Sequence, residues 1–319
     1  MSSFCNGAPV ADLAVQVKGL TVKFGDFIAV NDISFEVGRG EIFGFLGANG
    51  AGKTTTIRVL CGLLTPTAGE VSVAGVGVGG EGVEVKRRVG YMSQRFTLYT
   101  DLTVAENLDF TAGLRKMDPE VYQRRRKELF DFIEFDRKNL DTIVHDIPGG
   151  IKQQVSLAAS LLHDPEVVFL DEPTAGVSPA ARARFWSLIR RLAEQKKTVF
   201  VTTHYMDEAE QCERIALMRE GRIIALDSPK GLKKNTFPET MLEFDPKGGL
   251  SYDEISRLGK DPVFDFFEPY GLRFHAAVKS DAAWAKAKPR FEEKFRIRTI
   301  EPTLEDVFIR SVESGSGAR

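Results

Sequence analysis

The residue pattern with the clearest chemical meaning is a glycine-rich loop. Its sequence, GANGAGKT at 47–54, fits the phosphate-binding pattern G-x-x-x-x-G-K-[ST] and lies between a short apolar segment and a segment with helical spacing. Glycines allow a tight turn whose N–H groups converge on phosphate oxygens, and the positive end of the following helix adds to the attraction. Lys53 is expected to reach the β- and γ-phosphates, and the Thr54 hydroxyl to ligate Mg²⁺. The predicted binding residues for ATP are Gly47, Asn49, Gly50, Ala51, Gly52, Lys53, Thr54 and Thr55.

Two acidic residues end a second apolar segment farther along the chain. Residues 167–170 are apolar throughout and are followed by Asp171 and Glu172. Asp171 is placed to hold the metal through water, and Glu172 to orient or deprotonate an attacking water. Taken alone, an apolar run before Asp-Glu has little meaning. Together with the phosphate-binding loop, it predicts hydrolysis of the bound nucleotide.

The elements around these motifs predict an α/β domain. Helices that alternate with short β-rich apolar runs favour a mainly parallel sheet covered on both faces. The glycine-rich segment 75–82 is expected to be a surface turn. Apolar or alternating segments predict strands at 15–23, 33–37, 42–46, 167–170 and 198–203, and helical spacing predicts helices at 54–64, 180–195 and through most of 103–163.

The sequence changes character near Pro229. Strand-like and helix-like segments of similar length follow one another from there, which predicts a small C-terminal α+β domain over 229–313. The two ends of the chain, 1–12 and 314–319, are expected to be flexible. The predicted strands lie at 239–244, 263–268, 272–278 and 295–300, and the predicted helices at 252–258, 282–294 and 304–312.

The composition is that of an ordinary globular protein. The 319 residues are 43% hydrophobic and 28% charged, and the formal net charge is −2, which gives no general attraction to nucleic acid. No apolar run approaches the roughly 20 residues needed to cross a bilayer, and the N-terminus does not look like a secretory signal. The three cysteines are widely spaced and form no metal-ligand pattern. These features predict a cytoplasmic protein that does not bind nucleic acid.

Taken in order, the motifs resemble the nucleotide-binding domain of ATP-binding cassette (ABC) transporters, and most closely the ATPase subunits of multidrug, ABC-2-type exporters. The resemblance covers 13–228 and implies a P-loop NTPase cassette, with a mostly parallel sheet, an antiparallel β subdomain and a helical subdomain at about 95–165. It also implies head-to-tail dimerisation with a second ABC cassette when ATP binds. Transmembrane permease subunits would hold the chain on the inner face of the plasma membrane.

The resemblance assigns further site residues. Phe24 matches the aromatic residue that stacks on adenine, although a strand aromatic in the core would look the same. Gln94 matches the glutamine that contacts Mg²⁺ and the attacking water and senses the membrane partner. His204 matches the histidine that contacts the γ-phosphate. The resemblance thus implies a catalytic group of Glu172, His204 and Gln94 and a metal site of Thr54, Gln94 and Asp171.

One loop departs from the family pattern. The family's Leu-Ser-Gly-Gly-Gln signature, which grips the nucleotide of the partner cassette, is Ile-Pro-Gly-Gly-Ile at 147–151. Pro148 has neither a hydroxyl nor an N–H, and each lost charge-assisted hydrogen bond is worth about 1.5–3 kcal/mol. Gly149 and Gly150 can still approach a phosphate in the other subunit. Ser178 replaces the aspartate that is usual in the family's dimer-contact loop.

These departures favour an unequal pair with a different cassette, although a slow homodimer stays open. Two other functions also stay open: a soluble ATPase of the same superfamily that acts on ribosomes or DNA, and a largely regulatory cassette. The stretch 301–308, EPTLEDVF, also resembles the end of exporter subunits in the family.

Overall fold

The computed structural model describes residues 12–79, 82–94 and 97–316. The chain divides into two compact units, of which the first ends at Ile224 and the second begins at Ala225. This division falls close to Pro229, where the sequence changes character.

The first unit is built on a six-stranded sheet with the order β10-β9-β3-β8-β7-β6. Its strands are β3 (Ile42–Leu46), β6 (Val89–Met92), β7 (Val167–Asp171), β8 (Thr198–Thr203), β9 (Arg214–Arg219) and β10 (Arg222–Asp227). β3 pairs in parallel with β8 and β9, and β7 pairs in parallel with β6 and β8. Because β3, β7 and β8 are buried along their whole length, they consist of apolar or small residues, apart from Asp171 at the end of β7. Parallel strands end at one edge, so the loops after these three strands meet there.

A second, antiparallel sheet has the order β2-β1-β4-β5. Its strands are β1 (Leu13–Phe24), β2 (Phe27–Gly38), β4 (Ala68–Val73) and β5 (Val76–Gly77). The expectation that 75–82 is only a surface turn is therefore wrong, because Val76 and Gly77 pair with β4. Gly75, with φ +76°, forms the tight turn between the two strands.

The described part of the first unit contains seven α-helices and two short 3-10 helices, Arg137–Asn139 and Val144–Asp146. The α-helices are α1 (Lys53–Leu60), α2 (Val83–Arg88), α3 (Val104–Leu114), α4 (Pro119–Phe132), α5 (Gly149–Leu161), α6 (Pro179–Glu194) and α7 (Met206–Ala209). The long helical segment predicted at 103–163 is thus three helices. Thr103 begins α3 with a capping box to Glu106, and Asp118 caps α4 with proline at its first position. The helix predicted at 54–64 ends earlier, at Leu60.

The second unit holds an antiparallel sheet with the order β12-β13-β11-β14. Its elements are α8 (Pro229–Thr236), β11 (Met241–Pro246), α9 (Tyr252–Gly259), β12 (Phe264–Tyr270), β13 (Arg273–Val278), α10 (Asp281–Glu292), β14 (Phe295–Ile300) and α11 (Leu304–Ser316). Phe244 lies at the centre of an aromatic core with Trp284 and Phe291, at ring distances of 5.8 and 5.7 Å. α11 continues through Ser316 and is therefore longer than the helix predicted at 304–312. Of the predicted flexible ends, 1–11 and 317–319 lie outside the described residues.

The segment 301–308 fixes the start of α11. Asp306 accepts hydrogen bonds from the N–H and the hydroxyl of Thr303, both at 2.8 Å, and its carboxylate also contacts His275 Nδ1 at 2.9 Å. Burial acts to raise the pKa of Asp306. The bonds from His275 and Thr303 outweigh it, so this pKa lies below its ordinary value. The motif therefore joins the first turn of α11 to β13.

Candidate active site

The loop after β3 can be built only with glycine at two positions. A Cβ on Gly47 would lie 2.3 Å from the carbonyl oxygen of Met218. Gly52 has φ +105°, and a Cβ there would lie 2.6 Å from the carbonyl oxygen of Ala29. No side chain caps the first turn of α1, which begins at Lys53. Its first N–H groups therefore have no partner within the helix and can bind an anion.

Lys53 is folded over this loop and is only 4% exposed. Its Nζ donates to the carbonyl oxygens of Gly47 at 2.7 Å and Ala48 at 3.1 Å. The same nitrogen lies 3.3 Å from Oε1 of Glu172. The loop thus holds a buried cation against a carboxylate, at the place where phosphate groups would bind.

Asp171 ends β7 and has one carboxylate oxygen unpaired. Its Oδ1 accepts hydrogen bonds from the hydroxyls of Thr202 at 2.6 Å and Thr54 at 3.2 Å. Oδ2 is buried and has no hydrogen-bond partner among the described residues. Burial raises the pKa of Asp171 above its usual value, although the two hydroxyls act to lower it. A buried carboxylate oxygen without a partner, next to a hydroxyl, fits a divalent cation or its bound water.

Glu172 has an unusual backbone conformation for a residue with a side chain. Its φ is +47°, and the conformation is held by its N–H, which donates to the hydroxyl of Thr202 at 2.9 Å. Oε2 accepts a hydrogen bond from Nε2 of Gln94 at 3.0 Å and lies 3.2 Å from Nδ1 of His204. Left-handed backbone in a non-glycine residue is costly and is concentrated at functional sites. Here it directs the carboxylate toward Lys53, Gln94 and His204.

The structure therefore brings together most of the residues that the sequence singled out. Thr202, which holds both acidic residues, was missed because a threonine inside a buried strand gives no signal of its own. The side chains in contact with Asp171 or Glu172 are Lys53, Thr54, Gln94 and His204, and Gly47 accepts a hydrogen bond from Lys53. Of the other predicted binding residues, Asn49, Gly50, Ala51 and Gly52 lie in the loop before α1, and Thr55 lies within α1.

Phe24 lies at the end of β1 and is 51% exposed, so it is not a core aromatic. It is paired across the hairpin with Phe27, which is 65% exposed and belongs to none of the sequence motifs. Two adjacent aromatic side chains at a hairpin end are available to stack on a base.

The proline–glycine loop lies outside this cluster. Pro148 is the residue before α5, and its carbonyl accepts hydrogen bonds from the N–H groups of Ile151 at 2.9 Å and Lys152 at 3.0 Å. No side chain caps the helix. A Cβ on Gly149 would meet nothing within 4 Å, and one on Gly150 would only touch Ala181. The helix start is thus well formed, with open glycine backbone that another molecule can approach.

Comparison with known proteins extends this picture. The family model for ABC transporters matches residues 30–175. A probable multidrug ABC transporter ATP-binding protein of Escherichia coli is 43% identical over 228 residues, which span 71% of this chain but only 39% of the relative. A Nod factor export ATP-binding protein of Neorhizobium galegae is 36% identical over 96% of this chain and 86% of the relative.

Solved structures show the same architecture. A dimeric ATP-binding cassette, determined in a post-hydrolysis state with ADP and Pi, superimposes with a TM-score of 0.62 at 26% identity. The match covers 67% of this chain and 98% of the cassette.

Proposed function

Because the chain belongs to the ABC transporter family, we propose that it binds and hydrolyses ATP as the energy-supplying subunit of a membrane exporter. One observation carries the proposal: the buried Glu172 carboxylate lies against Lys53, Gln94 and His204, directly after the metal-binding candidate Asp171. The relatives are named as transporter ATP-binding proteins, which favours a transporter over the alternatives of a ribosome- or DNA-acting ATPase and a regulatory cassette.

The residues around the loop account for ATP binding. The free N–H groups at the start of α1 bind phosphate oxygens, and Lys53 exchanges its contacts with Gly47 and Glu172 for the β- and γ-phosphates. Phe24 stacks on the adenine. Thr54, Asp171 and Gln94 would hold Mg²⁺, which would neutralise part of the phosphate charge.

Glu172 then acts on the attacking water. It accepts the water proton as the oxygen bonds to the γ-phosphorus and the bond to the β–γ bridging oxygen breaks, which gives ADP and phosphate. Gln94 and His204, both in contact with the carboxylate, keep it oriented and help to hold the water and the γ-phosphate.

Glu172→Gln removes the charge needed to activate water but keeps the size of the side chain and most ground-state contacts. Turnover of ATP by the assembled transporter should fall by about 100-fold or more, while bound ATP accumulates. Phosphate release and the nucleotide retained after rapid gel filtration measure the two effects. Glu194→Gln, at the exposed end of α6, is the control. Hydrolysis by Glu172→Gln at near wild-type rates would show that another group is the base.

The second proposal concerns the partner cassette. In a head-to-tail pair, the open backbone of Gly149 and Gly150 faces the ATP held by the other chain. Pro148 contributes neither a hydroxyl nor an N–H there. A homodimer would carry this defect in both sites, whereas a heterodimer confines it to one. We therefore propose an unequal pair, in which this chain's own ATP is hydrolysed against an intact signature loop of a different cassette.

Pro148→Ser restores the missing hydroxyl and N–H. If the natural partner is a different cassette, the purified wild-type chain alone should hydrolyse ATP slowly, and Pro148→Ser alone should raise the rate by about tenfold and introduce cooperativity in ATP. Steady-state rates measured over a range of ATP concentrations distinguish the two kinds of dimer. Cooperative hydrolysis by the wild-type chain alone, unchanged by Pro148→Ser, would support the slow homodimer instead.

The third proposal concerns the membrane partner. No helix in the described parts of the chain is long and apolar enough to span a bilayer. A groove of about 560 Å³ lies between the end of α1, α2, β6 and the end of α3. Three of its apolar side chains, Leu63, Val83 and Leu114, are 52%, 49% and 70% exposed.

The charge of the groove indicates what it binds. Among the described residues, its lining includes Lys86, Arg87, Arg115 and Lys116 and no acidic side chain. Glu84 is not part of the lining, but its carboxylate lies 3.9 Å from Arg87. Arg115 donates to a backbone carbonyl, so its charge is not neutralised by that bond. An amphipathic segment with apolar and acidic residues complements such a surface. Tyr99, before α3, is 52% exposed, and its ring lies 4.8 Å from the ring of Phe110 on α3. We propose that a cytoplasmic segment of a transmembrane permease subunit of this chemistry docks in the groove and along α3 to Tyr99, and holds the chain on the inner face of the plasma membrane.

Cysteines at Leu114 and Tyr99 should crosslink to the membrane subunit in membranes that contain the assembled transporter. Arg87→Glu in the same background should reduce the crosslink several-fold, most clearly at low salt, because it reverses part of the groove charge. A cysteine at Glu194 is the control position. Crosslinks that reach only another soluble chain would contradict this docking surface.

A further inference from the structure

A buried carboxylate outside the recognised motifs joins the two chain segments that flank the active site. Glu208, on α7, has 0% of its surface exposed. Its Oε2 accepts a hydrogen bond from the hydroxyl of Thr203 at 2.6 Å, and its Oε1 accepts one from the hydroxyl of Thr174. Thr203 directly precedes His204, and Thr174 follows Glu172 by two residues. One side chain therefore bonds to both segments.

An arginine extends the same network to the histidine ring. Nε of Arg182 lies 3.3 Å from Oε1 of Glu208, and its guanidinium carbon lies 4.0 Å from the centre of the Tyr205 ring. The Tyr205 ring is in turn 4.0 Å from the His204 ring. The hydroxyl of Thr203 also accepts the N–H of Tyr205 at 3.0 Å. The position of His204 is thus fixed by the hydrogen bonds of Thr203, the residue before it, and by the ring of Tyr205, the residue after it.

The chemistry of these contacts argues against a role in packing alone. A fully buried carboxylate pays a large desolvation cost, and apolar side chains at such a place often stabilise a protein equally well. Charge-assisted bonds to two hydroxyls, however, fix distances and directions more tightly than apolar contacts. The left-handed backbone of Glu172 needs such support from its surroundings.

We propose that Glu208 is a positioning residue for hydrolysis. It holds the segment after Glu172 and the segment before His204 in a fixed relation, so that Nδ1 of His204 and the Glu172 carboxylate stay within 3.2 Å of each other. It touches no reacting atom itself and acts through Thr174 and Thr203. The inference rests on the proposed ATPase function.

Thr203→Val tests it with little change of shape, since only the hydroxyl is lost. We expect kcat for ATP to fall by about tenfold while KM stays within about threefold, because a displaced catalytic group costs rate rather than ground-state binding. Thr174→Val removes the other hydroxyl and should give a similar loss, so the test does not depend on one variant.

Thr198→Val is the matched control: Thr198 is also buried on β8, where its hydroxyl accepts a hydrogen bond from the N–H of Gly40. It should lower the melting temperature without lowering kcat.

A double-mutant cycle separates positioning from general stability. If Thr203 acts through His204, Thr203→Val should cause no further loss of kcat in a His204→Ala background. Losses that multiply would overturn the inference, as would a Thr203→Val chain as active as wild type. The proposed function is tested separately: if wild type and Thr198→Val, each assayed in the assembled transporter, both fail to hydrolyse ATP, the ATPase assignment itself fails.

Discussion

The contact between the buried amine of Lys53 and the buried carboxylate of Glu172 is the interaction on which the rest of the site depends. Two charges withdrawn from water are tolerated only when each has good partners. The loop carbonyls of Gly47 and Ala48 accept hydrogen bonds from Lys53, and Gln94 donates one to Glu172. Without nucleotide, these partners keep both charges in place. When nucleotide binds, its phosphates would compete with Glu172 for Lys53, and the contact between the two side chains would be lost.

This arrangement explains why the fold needs three fully buried parallel strands. β3 ends at the phosphate-binding loop, β7 at Asp171 and β8 directly before His204, so a one-residue slip in any of them would turn a catalytic group away from the site. The rings of Phe43, Phe45 and Phe200, with centres 5.1 to 6.0 Å apart, pack β3 against β8. Thr202 links β8 to both acidic residues of β7. Strand register, aromatic packing and polar contacts therefore all keep the catalytic groups at the same edge of the sheet.

Most of the fold and the candidate site could be predicted because their signals are local. The buried strands are continuous apolar runs, and the loop chemistry needs glycine, lysine and threonine at fixed spacing. β4 was missed because it is short and its first half is exposed, so its sequence contains no apolar run. β6, β9 and β10 were missed because a segment of about four apolar or small residues does not distinguish a strand from part of a helix. Thr202 and Glu208 were missed for a different reason. Their roles come from partners about thirty residues away or from a network of several contacts, and nothing in their own neighbourhood indicates this.

The position of the Lys53 amine in a crystal structure with MgATP tests the central claim most directly. The account predicts that Nζ leaves Gly47 and Glu172 for β- and γ-phosphate oxygens, that the unpaired Oδ2 of Asp171 faces the metal or its water, and that Glu172 stays against Gln94 and His204. A structure in which MgATP is bound while Lys53 remains on the loop carbonyls and on Glu172 would contradict it.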